Sequence, residues 1–122
     1  MPEVLYVFFG GGIGSLLRYF TGKVFSSIIP FFPIATLLSN ISGSFILGLV
    51  FVFYSSKNLN TNGYLFLATG ICGGYSTFST FTLENMKFFQ DGNISAGLLN
   101  IGLNLSFSLL SLVAGIFIAR QF

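Results

Sequence analysis

The chain has 122 residues and a net charge of +2; 53% are hydrophobic and 7% charged, with a mean hydropathy of +0.87. About a quarter of a soluble domain is charged, so this composition excludes one. At about 20 apolar residues per crossing, the length suits about four membrane spans, with short loops and no extramembrane domain. The sequence has no histidine and one cysteine, Cys72. These exclude an intrachain disulfide, and the few scattered Lys and Arg leave no footprint for nucleic-acid binding.

The first predicted span covers 4–25. The opening Met1-Pro2-Glu3-Val4 lacks a positive leader region, so it reads as the start of a span and not as a signal peptide. Gly10 and Gly14 are four apart, the spacing that lets a second helix approach closely. Arg18 lies near the end of this span. It either snorkels to the interface or lines an anion vestibule. Pro30 and Pro33 bound a short turn, and the second span covers 34–54. On it Thr36, Asn40 and Ser44 recur at i, i+4 and i+8, one helical face. Asn40 is read either as interhelical glue or as an amide N–H donor to a permeating anion. A polar connector follows, with Asn62-Gly63 as a turn signal.

The third span, 64–89, contains Gly73-Gly74-Tyr75-Ser76-Thr77-Phe78-Ser79-Thr80-Phe81. Glycine weakens a helix and hydroxyl side chains offer its backbone competing bonds. A break is therefore expected at 73–77, leaving two half-helices. Unwound backbone at membrane depth survives only against protein or a polar cavity, and such breaks mark ion or substrate sites. Phe78 and Phe81 share a helical face, with Glu84 on about the same stripe. A carboxylate inside a span is a functional candidate; the alternative is an interfacial residue beside Lys87. Asp91-Gly92-Asn93 makes the next turn. The fourth span, 94–119, carries Asn104, Ser108, Ser111 and Gly115 as a second polar stripe, extended by Asn100. Ser111 and Gly115 also suit close helix packing, which competes with pore lining.

The predicted fold class is thus an all-α membrane protein of four transmembrane helices, the third broken mid-membrane, forming a single domain over 1–122. With four spans, Lys57 and Arg120 fall on one side and Lys23 and Lys87 on the other, joined by Arg18 if it reaches the surface, two against two or three. Orientation follows excess Lys and Arg, and neither side has one. Dual topology follows, with inverted copies pairing as an antiparallel two-fold dimer.

No nucleophile–base pair is present and no His/Cys cluster for a transition metal, so an enzyme is not expected. What remains is two stripes of amide and hydroxyl donors, two phenyl rings and a backbone break. The positive edge of a phenyl ring, with Asn, Ser and Thr donors, contacts a small anion without a full positive charge. Carbonyls freed at the break prefer a hard cation such as Na⁺.

At this point the chain resembles the Fluc (CrcB) fluoride channels along nearly its whole length. Gly11-Gly12-Ile13-Gly14-Ser15-Leu16-Leu17-Arg18-Tyr19 is similar to the family's first-span motif. The stretch 33–48, with Thr36, Asn40, Gly43, Ser44 and Phe45, resembles its second. The stretch 73–81 resembles its third. The resemblance implies a fluoride channel of the plasma membrane: a homodimer of inverted subunits in the bilayer, or a heterodimer with a paralogue, with two fluoride pores and a central structural Na⁺. It places Phe78, Phe81, Asn40, Ser79, Thr80, Ser111 and Glu84 along the fluoride path, Arg18 at the vestibule, and Na⁺ on the backbone carbonyls of Gly73 and Ser76. Phe107 stands where the family often has Tyr, and Ser39 where it usually has an apolar residue. The runner-up is a four-span, proton-coupled exporter of the small multidrug type. A third reading is a non-conducting subunit of a two-component channel.

Overall fold

The computed structural model describes Pro2–Phe122 and is helical throughout, with no strand among the described residues. Helix α1 runs Pro2–Phe25 and α2 Ile34–Ser55. Helix α3, residues 61–75, begins as Thr61–Tyr64, widens into a π-helix over Leu65–Cys72 and closes with one α turn at Gly73–Tyr75. Helix α4 is Ser79–Gln90 and α5 is Ile94–Ala119. By length and apolarity α1, α2 and α5 are each able to cross a membrane. Neither α3 nor α4 reaches that length alone.

Helix α3 starts before the expected position 64. Asn60 caps it, its side chain accepting the Gly63 N–H at 2.8 Å, so Asn62-Gly63 lies inside the first turn. Asn93 caps α5 in the same way, accepting from Ala96 N–H, and Gly92 makes the preceding turn at φ +76°. The helical run ends at Tyr75. Ser76 is extended, at φ −80° and ψ 157°, and helix resumes only at Ser79. The interruption thus lies at 76–78, displaced toward the C-terminal end of the expected 73–77, because Gly73 and Gly74 still complete a helical turn.

Two glycine seams hold the helices together. A Cβ on Gly10 or Gly14 would strike the carbonyls of Phe66 or Ile71. One on Gly70 or Gly74 would strike the backbone of Gly10 or Gly11. The first-span glycine pair therefore packs α1 onto α3 of the same subunit. Gly48 and Gly115 play this part between α2 and α5: their missing side chains make room for the carbonyls of Leu112 and Phe45. Ser111 strengthens that seam, donating its hydroxyl to Ile41 C=O at 2.8 Å. The centre of the bundle is polar. Asn100 is wholly buried, Ser39 and Asn104 nearly so. Large apolar side chains of α1 and α5, among them Phe8, Leu16, Leu109 and Phe117, face outward, as suits a protein solvated by lipid.

Candidate functional site

The site is built where the interruption at 76–78 meets α2 and α5. In an unbroken helix Thr77 N–H would serve Gly73 C=O, and Thr80 N–H would serve Ser76 C=O. Instead Thr77 N–H donates to Asn40 Oδ1 at 2.8 Å, and Thr80 N–H donates to Thr77 Oγ1 at 3.2 Å. The carbonyls of Gly73 and Ser76 are thereby released from their helical donors. Ser76 Oγ donates to Cys72 C=O at 2.7 Å, which ties the extended residue to the last turn of α3.

Five of the seven residues expected along one path fall into two cavities, and Ser79 and Ser111 line neither. The first, about 410 Å³, is lined by Asn40 and Ser44 of α2, Gly73, Ser76, Thr77, Phe78 and Phe81 at the break, and Asn104, Leu105 and Ser108 of α5. No charged side chain lines it. The Phe78 and Phe81 rings lie 5.5 Å apart at 51°. Phe81 is 6% exposed, whereas Phe78 is 73% exposed. Asn40 spends one N–H on Asn104 Oδ1 at 2.9 Å, and its second is free to face the cavity.

The second cavity, about 630 Å³, opens between α1, α2 and α4 and includes Ser15, Arg18, Thr36, Ser39, Thr80, Glu84, Lys87 and Asp91. Its walls carry two cations and two carboxylates. Thr36 donates to Glu84 Oε2 at 2.6 Å, while Glu84 Oε1 and the Ser39 hydroxyl are buried without a partner. Glu84 thus faces this cavity and not the one holding the two phenylalanines. Thr77 and Thr80, one in each lining, are joined through their hydroxyls at 3.4 Å. Ser79 is exposed beside them, with its Oγ 3.3 Å from Thr77 Oγ1.

The α5 stripe resolves into two functions. Ser111, expected on the path, spends its hydroxyl on Ile41 C=O and lines neither cavity. Ser108 lines the uncharged cavity, and its buried Oγ has no partner. Both serines belong to the same polar stripe, and only the facing helix decides between them. Phe107 points outward and lines neither cavity, so the absence of a tyrosine hydroxyl there removes nothing from these walls. Among the described residues no cluster of three or more His, Cys, Asp or Glu offers a conventional metal site. The oxygen atoms around the uncharged cavity include backbone carbonyls and the amide and hydroxyl side chains of Asn40, Ser44, Ser76 and Thr77.

Comparison with known proteins decides what this arrangement belongs to. Residues 5–116 match the family described as CrcB-like protein, Camphor Resistance (CrcB). The chain belongs to the CrcB family. It is 43% identical to the "Fluoride-specific ion channel FluC" of Campylobacter fetus over 96% of this chain and 93% of that one. Proteins of the same name from Flavobacterium psychrophilum and a Sulfurihydrogenibium species are 39% and 41% identical, each covering 99% of both chains. CrcB relatives are thus named as ion channels and not as enzymes, in line with the missing catalytic pair. Together with three apolar helices of spanning length, the family makes this a multi-pass membrane protein, which in bacteria resides in the plasma membrane.

Proposed function

We propose that the chain is a fluoride-selective channel through which F⁻ leaves the cytoplasm passively, lowering fluoride toxicity. The observation that carries this reading is the uncharged cavity at the helix interruption, where Asn40, Phe78, Phe81 and Ser108 converge. A small halide needs close donors in place of its water, held weakly enough to let it go. The free Asn40 N–H, the Ser108 hydroxyl and the positive edges of two phenyl rings meet that need without a fixed charge that would trap the ion. The names of the FluC relatives point the same way.

The finer reading has α3 and α4 together making the third of four crossings, broken mid-membrane, and an inverted second copy completing two pores. The exposure of Phe78 and Gly73 in one subunit supports a second wall supplied by that copy. Arg18 lines the wider cavity as a vestibule residue, and Thr80, Ser79 and Thr77 carry hydroxyls from there to the break. Glu84 lies beside the path at Thr36.

A central Na⁺ fits the residues present. Gly73 and Ser76 offer carbonyls that the rerouted N–H groups of Thr77 and Thr80 have released, the oxygen ligands a hard cation prefers. Na⁺ would supply positive charge to these carbonyl dipoles and brace the pair of copies. The chain's own part is to free those carbonyls, which Asn40 and Thr77 do by taking their donors.

The test is efflux from liposomes holding only this chain, read with fluoride and chloride electrodes. Fluoride release far above chloride supports the reading. No flux until a second homologue is added would show that this chain is one half of a two-component pore. Proton-coupled uptake of aromatic cations would show a multidrug-type exporter.

A further inference from the structure

We propose that Asn100, with Asn85, is a positioning residue for permeation: the amide chain that these two terminate fixes which way the Asn40 amide faces the ion. This rests on the assignment of Asn40 as a fluoride donor.

Four asparagine side chains from three helices bond head to tail. Asn40 Nδ2 donates to Asn104 Oδ1 at 2.9 Å. Asn104 Nδ2 donates to both Asn100 C=O and Asn100 Oδ1, each at 2.9 Å. Asn100 Nδ2 donates to Asn85 Oδ1 at 2.7 Å. Asn100 is wholly buried, Asn104 is 4% exposed and Asn85 6%, so water offers no alternative partners. An amide can turn over and exchange its oxygen and nitrogen ends, and a free asparagine in a pore would present either. This chain cannot. At one end Thr77 N–H only donates, so Asn40 must offer it oxygen. At the other, Asn100 C=O only accepts, so Asn104 must offer it nitrogen. Turning either Asn40 or Asn104 would set like ends against one another in a dry interior, stranding groups at about 1–3 kcal/mol each.

Two consequences follow for the ion. Asn104 lines the cavity but has both N–H bonds directed at Asn100, so it offers the ion no donor. Asn40 keeps its second N–H for the cavity, with its orientation enforced from residues that never reach it. Asn85 carries the chain to α4, one residue beyond Glu84.

The test compares Asn100→Leu and Asn100→Asp in liposomes, with dimer retention checked by gel filtration. Asn100→Leu removes the side-chain acceptor and leaves Asn104 only the backbone C=O of residue 100, so one Asn104 N–H loses its partner and fluoride efflux should fall about three- to tenfold with the dimer intact. Asn100→Asp adds a pH readout. A neutral carboxylic acid accepts from Asn104 and donates to Asn85, as the amide does, whereas the carboxylate has no donor. Burial at this wholly enclosed position disfavours the charged carboxylate, so efflux through this variant should be low at alkaline pH and rise toward wild type as the pH falls. The titratable groups on the helices packed against Asn100 are Glu84 and Lys87 of α4 and Tyr54 at the far end of α2, so wild type is run at each pH and its own profile divided out. Wild-type flux in Asn100→Leu overturns the proposal, as does an Asn100→Asp rate that is pH-independent or low throughout. Should Asn100→Leu not fold, the Asn100→Asp profile decides alone. Asn40→Leu separates the two levels: if it too conducts normally, the donor assignment fails; if it alone is silent, only the positioning claim does.

Discussion

Thr77 donates its backbone N–H to Asn40 Oδ1 across 2.8 Å, and this one bond does two things. It stabilises the interruption of the third segment by replacing a lost helical bond, and it sets the Asn40 amide nitrogen toward Asn104. Asn40→Asp keeps the acceptor for Thr77 but loses both N–H donors and adds negative charge. The variant is expected to remain dimeric while fluoride efflux falls at least about tenfold. Asn40→Leu strands the Thr77 N–H as well, and its thermal stability should drop by a further ~1–3 kcal/mol. Efflux and melting measured on both variants separate the two functions of the side chain.

Ser108 and Ser111 are one turn apart and should behave oppositely. Ser108 faces the uncharged cavity with an unpartnered hydroxyl, so Ser108→Ala should slow fluoride efflux with no loss of stability. Ser111 bonds Ile41 C=O inside the α2–α5 seam. Ser111→Ala should cost ~0.5–1.5 kcal/mol and leave the permeation rate close to wild type. Paired efflux and denaturation measurements check this, and a reversed pattern would move the pore lining one turn along α5.

The glycine seams predict which positions resist a methyl group. Gly10→Ala drives a Cβ into Phe66 C=O and against Gly70, an overpacking of ~1–3 kcal/mol or more that should lower the melting temperature and the yield of folded dimer. Gly102 on α5 has nothing within 4 Å of an added Cβ. Gly102→Ala should be neutral, or stabilising by up to about 1 kcal/mol through helix propensity. Comparable destabilisation in the two would place α1 somewhere other than against α3.

Much of this organisation was legible in the residues. The crowding of glycine and hydroxyls at 73–81 marks a weak point in any helix, and Asn93 and Pro33 mark where α5 and α2 begin. The glycine pair on α1 announces a close approach, but not that its partner is the Gly70 and Gly74 pair of the same chain. What spacing could not show is what faces each stripe. Thr36, Asn40 and Ser44 share a face of α2, yet Thr36 meets Glu84 in one cavity and Asn40 meets the break in another, because α4 sets off anew after Ser76. The π-helix at Leu65–Cys72 changes the phase of α3 without any residue that announces it. Asn85 had no signal of its own: it matters through Asn100, on the neighbouring helix.

The proposed Na⁺ on the released carbonyls of Gly73 and Ser76 predicts a sodium-dependent stability. Prolonged exchange of the purified protein into sodium-free buffer, with a large organic cation in its place, should lower its melting temperature, and returning Na⁺ should restore it. The unchanged backbone makes this a property that conservative side-chain substitution at Ser76, such as Ser76→Thr, should preserve. Melting temperatures identical with and without Na⁺ would remove the cation from the proposal and leave the pore assignments standing.

The central claim is that uncharged dipoles and two aromatic rings at a helix interruption conduct fluoride. Its most direct measurement is fluoride-electrode efflux from liposomes containing wild type, Phe78→Ile or Phe81→Ile at matched dimer content. Each isoleucine keeps apolar bulk but has no aromatic edge, so efflux is expected to be abolished or sharply reduced in both variants while the dimer still forms. Wild-type rates in both variants would contradict the claim.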